Sequence, residues 1–199
     1  MKTFRSARRF GAWVAAAAAF LVANAAVAER FLTIPEAQKI CFPQAEKFDE
    51  QTLTLTRQQV AAVEKQSETK ARKPAIRFWT AFEGTNQLGV LFFDQVIGKH
   101  DLIDYVVALS PEGKVLQVEI LEYRENYGGK VRDADWRAQF KGKTPRDPLK
   151  LHGDIYNITG ATLSCGHVTE GVRRVLATFD LVVRSRLAGG RLPDKPARP

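Results

Sequence analysis

The residues best equipped for chemistry in this 199-residue chain lie in one run: Thr159, Gly160, Ala161, Thr162, Leu163, Ser164 and Cys165. Past Thr162, the residues Val168, Val172, Val175, Phe179 and Val182 recur at steps of four and three, which places them on one stripe of a helix. Glu170 comes before Arg173, Arg174, Arg184 and Arg186, the charge order that a helix dipole favours. Thr162 or Ser164 is therefore expected to start a helix. A helix N-terminus carries unpaired N–H groups and partial positive charge, and Gly160 with Ala161 lets another group come close to the backbone. That suits a phosphate or another anion. The same hydroxyls also serve as ordinary N-caps whether or not anything binds. Cys165 offers a second chemistry, a thiol acidified by the helix start, against the plain alternative of a small side chain packed in the first turn.

Other reactive side chains are scattered. His100 stands alone at the connection Gly98, Lys99, His100. The stretch Glu122 to Gly129 is polar, aromatic and rich in glycine; Tyr123, Tyr127 and Gly128 in it suit the flanks of a flat ring, or equally an exposed loop with incidental tyrosines. His152 and His167 carry weaker signals. Cys165, Gly166, His167 lacks the second cysteine of a haem-attachment motif, and Cys41 with Cys165 shows no zinc-ligand spacing. Ser164 has no nucleophile-elbow pattern around it.

The run Thr159, Gly160, Ala161, Thr162, followed by Leu163 and Ser164, resembles the S/T-G-A-T motif of the FMN-binding domain family. That family includes the C subunit of the sodium-translocating NADH:quinone reductase and the G subunit of the Rnf complex. The resemblance covers roughly residues 34–187, most closely 96–100, 120–131 and 142–149, and is nearest to soluble members found outside the cytoplasm. It implies FMN held covalently through a phosphoester to Thr162, attached by a bacterial flavin transferase that uses FAD. Thr159, Gly160, Ala161, Leu163 and Ser164 would surround the attachment point, with His100, Tyr123, Tyr127 and Gly128 toward the ring. At the spacing where the family usually carries an aspartate, this chain has Ile155 and Tyr156, and the nearest acid upstream is Asp154. The implied role is that of an electron carrier, not an enzyme, working with a membrane or periplasmic redox partner. The alternative is a periplasmic module that binds a non-covalent anion or senses redox state through Cys165.

Residues 1–28 read as an export signal. Lys2, Arg5, Arg8 and Arg9 form a basic start, Gly11 to Val22 an alanine-rich apolar core, and Ala26, Val27, Ala28 a cleavage site before Glu29. The competing reading is an uncleaved membrane anchor. Either places the protein in the periplasm or otherwise outside the cytoplasm. The formal charge of +8 shrinks once it is apportioned. The signal holds four bases and no acid, and the tail from Arg184 holds five bases and one acid, so residues 29–183 carry 21 of each sign. A neutral body is no footprint for nucleic acid. Two cysteines outside the cytoplasm invite a bridge, and spacing leaves open whether Cys41 and Cys165 meet.

The remaining pattern predicts an α+β fold, an antiparallel sheet meander packed on a long C-terminal helix, with short N-terminal helices. Thr33 with Glu36 and Thr56 with Gln59 are capping boxes that open helices over Thr33 to Phe42 and Thr56 to about Gln66. Four strands follow, Ile76 to Phe82, Leu88 to Ile97, Leu102 to Leu109 and Val115 to Leu121, with turns at Gly84 to Asn86 and Pro111 to Gly113. Gly98 is expected to mark a bulge or a close approach. Asp133 caps a short helix carrying Trp136 and Phe140, ended by Gly142. The expected organisation is a signal at 1–28, a helical segment at 29–74, an FMN-binding domain at 75–187 and a disordered basic tail at 188–199.

Overall fold

The computed structural model describes residues 29–71, 73–124 and 129–188. Residues 1–28, expected to be an export signal, Tyr127, Gly128 and the tail beyond Ala188 lie outside the described residues. The fold is α+β, with a six-stranded antiparallel sheet in the order β1-β6-β5-β4-β3-β2. Its strands are β1 (Glu29–Arg30), β2 (Lys47–Thr54), β3 (Ala75–Glu83), β4 (Asn86–Ile97), β5 (Leu102–Leu109) and β6 (Val115–Tyr123). The four meander strands stand where the apolar runs placed them. The turn Gly98 to Asp101 closes through the Gly98 N–H donating to Asp101 O (2.8 Å), and the sheet's register shifts fall elsewhere, at Ala81/Phe82, Asp104/Tyr105 and Ala108/Leu109. Gly98, expected to mark a bulge or a close approach, thus opens a tight turn and is not a bulge.

The segment expected to be helical also supplies sheet. Its helices α1 (Ile34–Cys41) and α2 (Arg57–Ser67) start on the two capping boxes, Thr33 with Glu36 and Thr56 with Gln59, both formed in full. Between them β2 pairs with β3 from Lys47 opposite Phe82 to Thr54 opposite Ala75. As an edge strand with no fully buried residue, β2 lacks the apolar alternation that reveals a half-buried strand. The pairing with β3 is what makes it a strand.

The sheet separates two cores. On one face Phe92, Val96, Ile103, Tyr105 and Val107 meet Val168, Val172, Val175 and Phe179 of the long helix α4 (Thr162–Thr178) and its continuation. On the other, Trp79, Leu91, Val106, Ala108 and Leu121 meet Ala37, Cys41 and Phe42 at α1. Each fully buried Val or Phe contributes roughly 1.5–3 kcal/mol, so the apolar stripe of α4 is its main anchor. Cys41 and Cys165 lie in these opposite cores and are both free, so the sheet itself keeps them from bridging. Beyond Thr178 the helix widens into a π-helical turn at Phe179–Val183 and ends as α5 (Arg184–Ala188). Among the described residues no helix is long and apolar enough to cross a membrane.

Candidate functional site at the start of the long helix

The approach to α4 is a loop held at several points. Leu149 and Ile155 are fully buried, and between them the Asp154 carboxylate accepts from Lys143 Nζ (2.8 Å) and from the backbone N–H groups of Lys150 (2.8 Å) and Leu149 (3.2 Å). The short helix α3 (Ala134–Ala138), capped by Asp133 as expected, then fixes the chain: Trp136 Nε1 donates to Tyr156 O (2.8 Å), and Tyr156 N donates to Gln139 Oε1 (2.6 Å). With its backbone clamped on both sides, Tyr156 leaves its side chain 76% exposed.

Burial pushes the Asp154 pKa up, but the Lys143 ammonium and the two backbone donors outweigh it and hold the group below the ordinary aspartate value of 3.8. A depressed folded-state pKa stabilises the fold in full above the unfolded value and less as pH falls through the folded one. Acid titration below pH 3.8 is therefore expected to strip amide-exchange protection from Leu149 and Lys150 ahead of the sheet. In Asp154→Asn those two amides should start less protected and show no such step.

From Ile158 the chain turns sharply: Ala161 N donates to Ile158 O (2.9 Å) and Gly160 takes a φ of +84°, a conformation glycine reaches without strain. Helix α4 begins at Thr162, and its N-cap is Ala161, which has no side-chain cap bond. Neither Thr162 nor Ser164 caps the helix, and their hydroxyls are occupied otherwise. Ser164 is buried and shares a 3.0 Å hydrogen bond with the buried Tyr123 hydroxyl at the end of β6. The Thr162 hydroxyl faces outward and accepts from Asn157 Nδ2 (2.9 Å). The first intrahelical bond is made by Cys165 N to Ala161 O (2.8 Å), so the N–H groups of Thr162, Leu163 and Ser164 precede the helical ladder.

Two further ties bring neighbouring elements to this end. His167 Nδ1 donates to the carbonyls of Ile97 and Gly98, pinning the β4–β5 turn, and with it the exposed His100, beside the opening turns of α4. The Tyr123–Ser164 bond brings the end of β6 beneath the same turn. Thr159, Gly160, Thr162 and Leu163 are exposed, Leu163 by 50%, while Ala161 is buried. Tyr123 is 3% exposed, so it supports the helix start from below. The roles of Asn157 and of the Trp136–Tyr156 clamp carried no recognisable sequence signal, and that of His167 only a weak one, because each acts through a partner distant in sequence or through a loop bend.

The thiol reading of Cys165 does not survive. An activated thiol needs access and a lowered pKa. Cys165 is 0% exposed, and burial pushes its thiol up, more than its hydrogen bonds to backbone bring it down.

Residues 98–177, from the β4–β5 turn through almost all of α4, match the FMN-binding domain family. Over 107 residues the chain is 28% identical to the G subunit of the proton-translocating ferredoxin:NAD(+) oxidoreductase complex of Clostridium ljungdahlii, a match covering 50% of this chain and 57% of that one. The chain thus spans little more than half the length of that relative. Its fold is similar to the crystal structure of Shewanella oneidensis NqrC, with a TM-score of 0.53, 16% sequence identity, and coverage of 79% of this chain and 90% of the other.

Proposed function

We propose, from the premise that this chain belongs over residues 98–177 to the FMN-binding domain family, that it is an exported electron carrier holding FMN covalently on Thr162. The observation that carries this reading is the state of the Thr162 hydroxyl. It lies exposed at the start of a long helix, is not spent on capping, and is oriented by Asn157. The N–H groups ahead of the first helical bond and the helix dipole favour a phosphate at that position. The exposed Gly160, with nothing within 4 Å of where a side chain would start, leaves a flank open to an attaching enzyme.

Attachment would form a bond from Thr162 Oγ1 to the phosphorus of the FMN half of FAD and break the bond to the AMP half. The hydroxyl proton leaves with AMP. FMN, when bound, supplies one- and two-electron transfer, and the protein holds and tunes it. Asn157 is a positioning residue here: its amide holds the hydroxyl before attachment and donates to the ester oxygen afterwards. Asn157→Ala is expected to slow attachment about tenfold, a loss of roughly 1.4 kcal/mol in the transition state, with an unchanged circular dichroism spectrum. Asn157→Asp should be slower still, because it sets a negative charge beside the incoming phosphate.

The decisive experiment is co-production with a flavin transferase, followed by intact-mass analysis and peptide mapping. A gain of one FMN less one water, mapped to Thr162, is expected. No gain, or a gain mapped to another residue, overturns the reading. Cleavage after Ala28 would leave Glu29 free to enter the edge of the sheet as β1. The partner would be a membrane-bound or periplasmic redox protein, in keeping with the Clostridium relative's place in an oxidoreductase complex.

A further inference from the structure

Strands β3 and β4 do not stay together along their length. Their pairing stops at Arg77 opposite Phe93; beyond it Ala75 and Ile76 remain with β2, while Asp94 to Ile97 remain with β5. The parted strands, α2 and the C-terminal end of α4 enclose a cavity of about 400 Å³, within the usual size range of small-molecule sites. Val63, Ile76, Phe92 and Val175 give it apolar walls. Val175 is thirteen positions along α4 from Thr162, roughly 20 Å at the helical rise, so the cavity is separate from the helix start.

The charged groups around it are unevenly compensated. Arg174 and Asp94 pair with each other on the wall, and Asp94 Oδ2 also accepts from the Tyr105 hydroxyl (2.6 Å). Arg77 is paired with Glu50 (2.7 Å). Lys73 donates to the neutral amide of Gln95 (3.3 Å) and, among the described residues, has no carboxylate within ion-pair distance. The cavity therefore joins an apolar interior to one uncompensated cation at its rim, and the Asp94 carboxylate disfavours a second negative charge farther in.

We infer that this fissure is a second binding site, for a monoanionic amphiphile whose carboxylate meets Lys73 and whose hydrocarbon body lies against Phe92, Ile76, Val63 and Val175. The test is calorimetric titration of the whole mature protein, flavinylated or not, with decanoate and with decanol. Decanoate is expected to bind saturably at one equivalent. Lys73→Glu should weaken decanoate about tenfold and leave decanol unchanged; Val175→Trp, which fills the apolar end, should weaken both by about as much. The absence of saturable decanoate binding, or undiminished decanoate affinity in Lys73→Glu, overturns the inference. So does binding confined to phosphatidylglycerol vesicles with none of free decanoate. Should Val175→Trp fail to fold, Lys73→Glu at the exposed rim still decides the matter.

Discussion

Thr162→Val is expected to yield a colourless protein under conditions in which the wild type emerges yellow. Valine keeps the branched shape and removes only the hydroxyl, and Thr162 is an exposed first-turn residue whose side chain makes no cap bond. Stability should therefore move by no more than about 0.5 kcal/mol, as for an ordinary surface substitution. The attached mass should fall from one equivalent to none, because valine has no hydroxyl to form the ester. Thr159 and Ser164 are the nearby hydroxyls that test this. Thr159 lies outside the helix, on the far side of the Gly160 turn, and Ser164 is buried against Tyr123. A variant that still gains flavin on Thr159 would show that the transferase reads the loop and not the helix start. A fully flavinylated variant with the mass on any residue ends the assignment of Thr162.

Gly171→Ala is expected to be the most damaging small substitution in α4, although alanine is ordinarily the better helix former by about 1 kcal/mol. A Cβ at this position would stand 2.0 Å from the Tyr105 hydroxyl and 3.0 Å from Val96 Cγ1. Tyr105 cannot easily move aside. It is fully buried, and its hydroxyl donates to Asp94, which also holds the buried Arg174. Burial foremost, and then the negative charge of Asp94, push the Tyr105 pKa well up, so the group remains a protonated donor. Overpacking of this kind costs about 1–3 kcal/mol, which in a domain of this size lowers the melting temperature by roughly 2–12 °C. A melting temperature equal to or above that of the wild type would mean that Tyr105 has room to retreat and that the close approach does not constrain the helix. Tyr105→Phe, which removes the clashing oxygen, should recover part of the loss in the double variant.

The parts legible in the residues alone were those governed by local chemistry. The capping boxes at Thr33 and Thr56 need only a hydroxyl and an acid or amide three residues on, so both helix starts stood out. The runs from Ala75 to Tyr123 bury much of their length, which leaves short apolar segments broken by Gly84, Gly98 and Gly113. Strand β2 stayed hidden because an exposed edge strand bears no such mark. At the site, the motif drew attention to Thr162, but its spacing suggested a capping role that the bend at Gly160 hands to Ala161.

The sequence by itself determined where the long helix begins, which of its faces is apolar, and that hydroxyls and small residues gather at its start. All of these depend on neighbours within a turn or two. Only the tertiary structure decided that Cys41 and Cys165 stand on opposite sides of a sheet, that the helix start is braced by Tyr123 of β6 and, through His167, by the end of β4, and that Asn157 turns its amide onto Thr162. Those relations join residues through the bend of a loop or across the sheet, and the distances they span are set by packing, which no local pattern records.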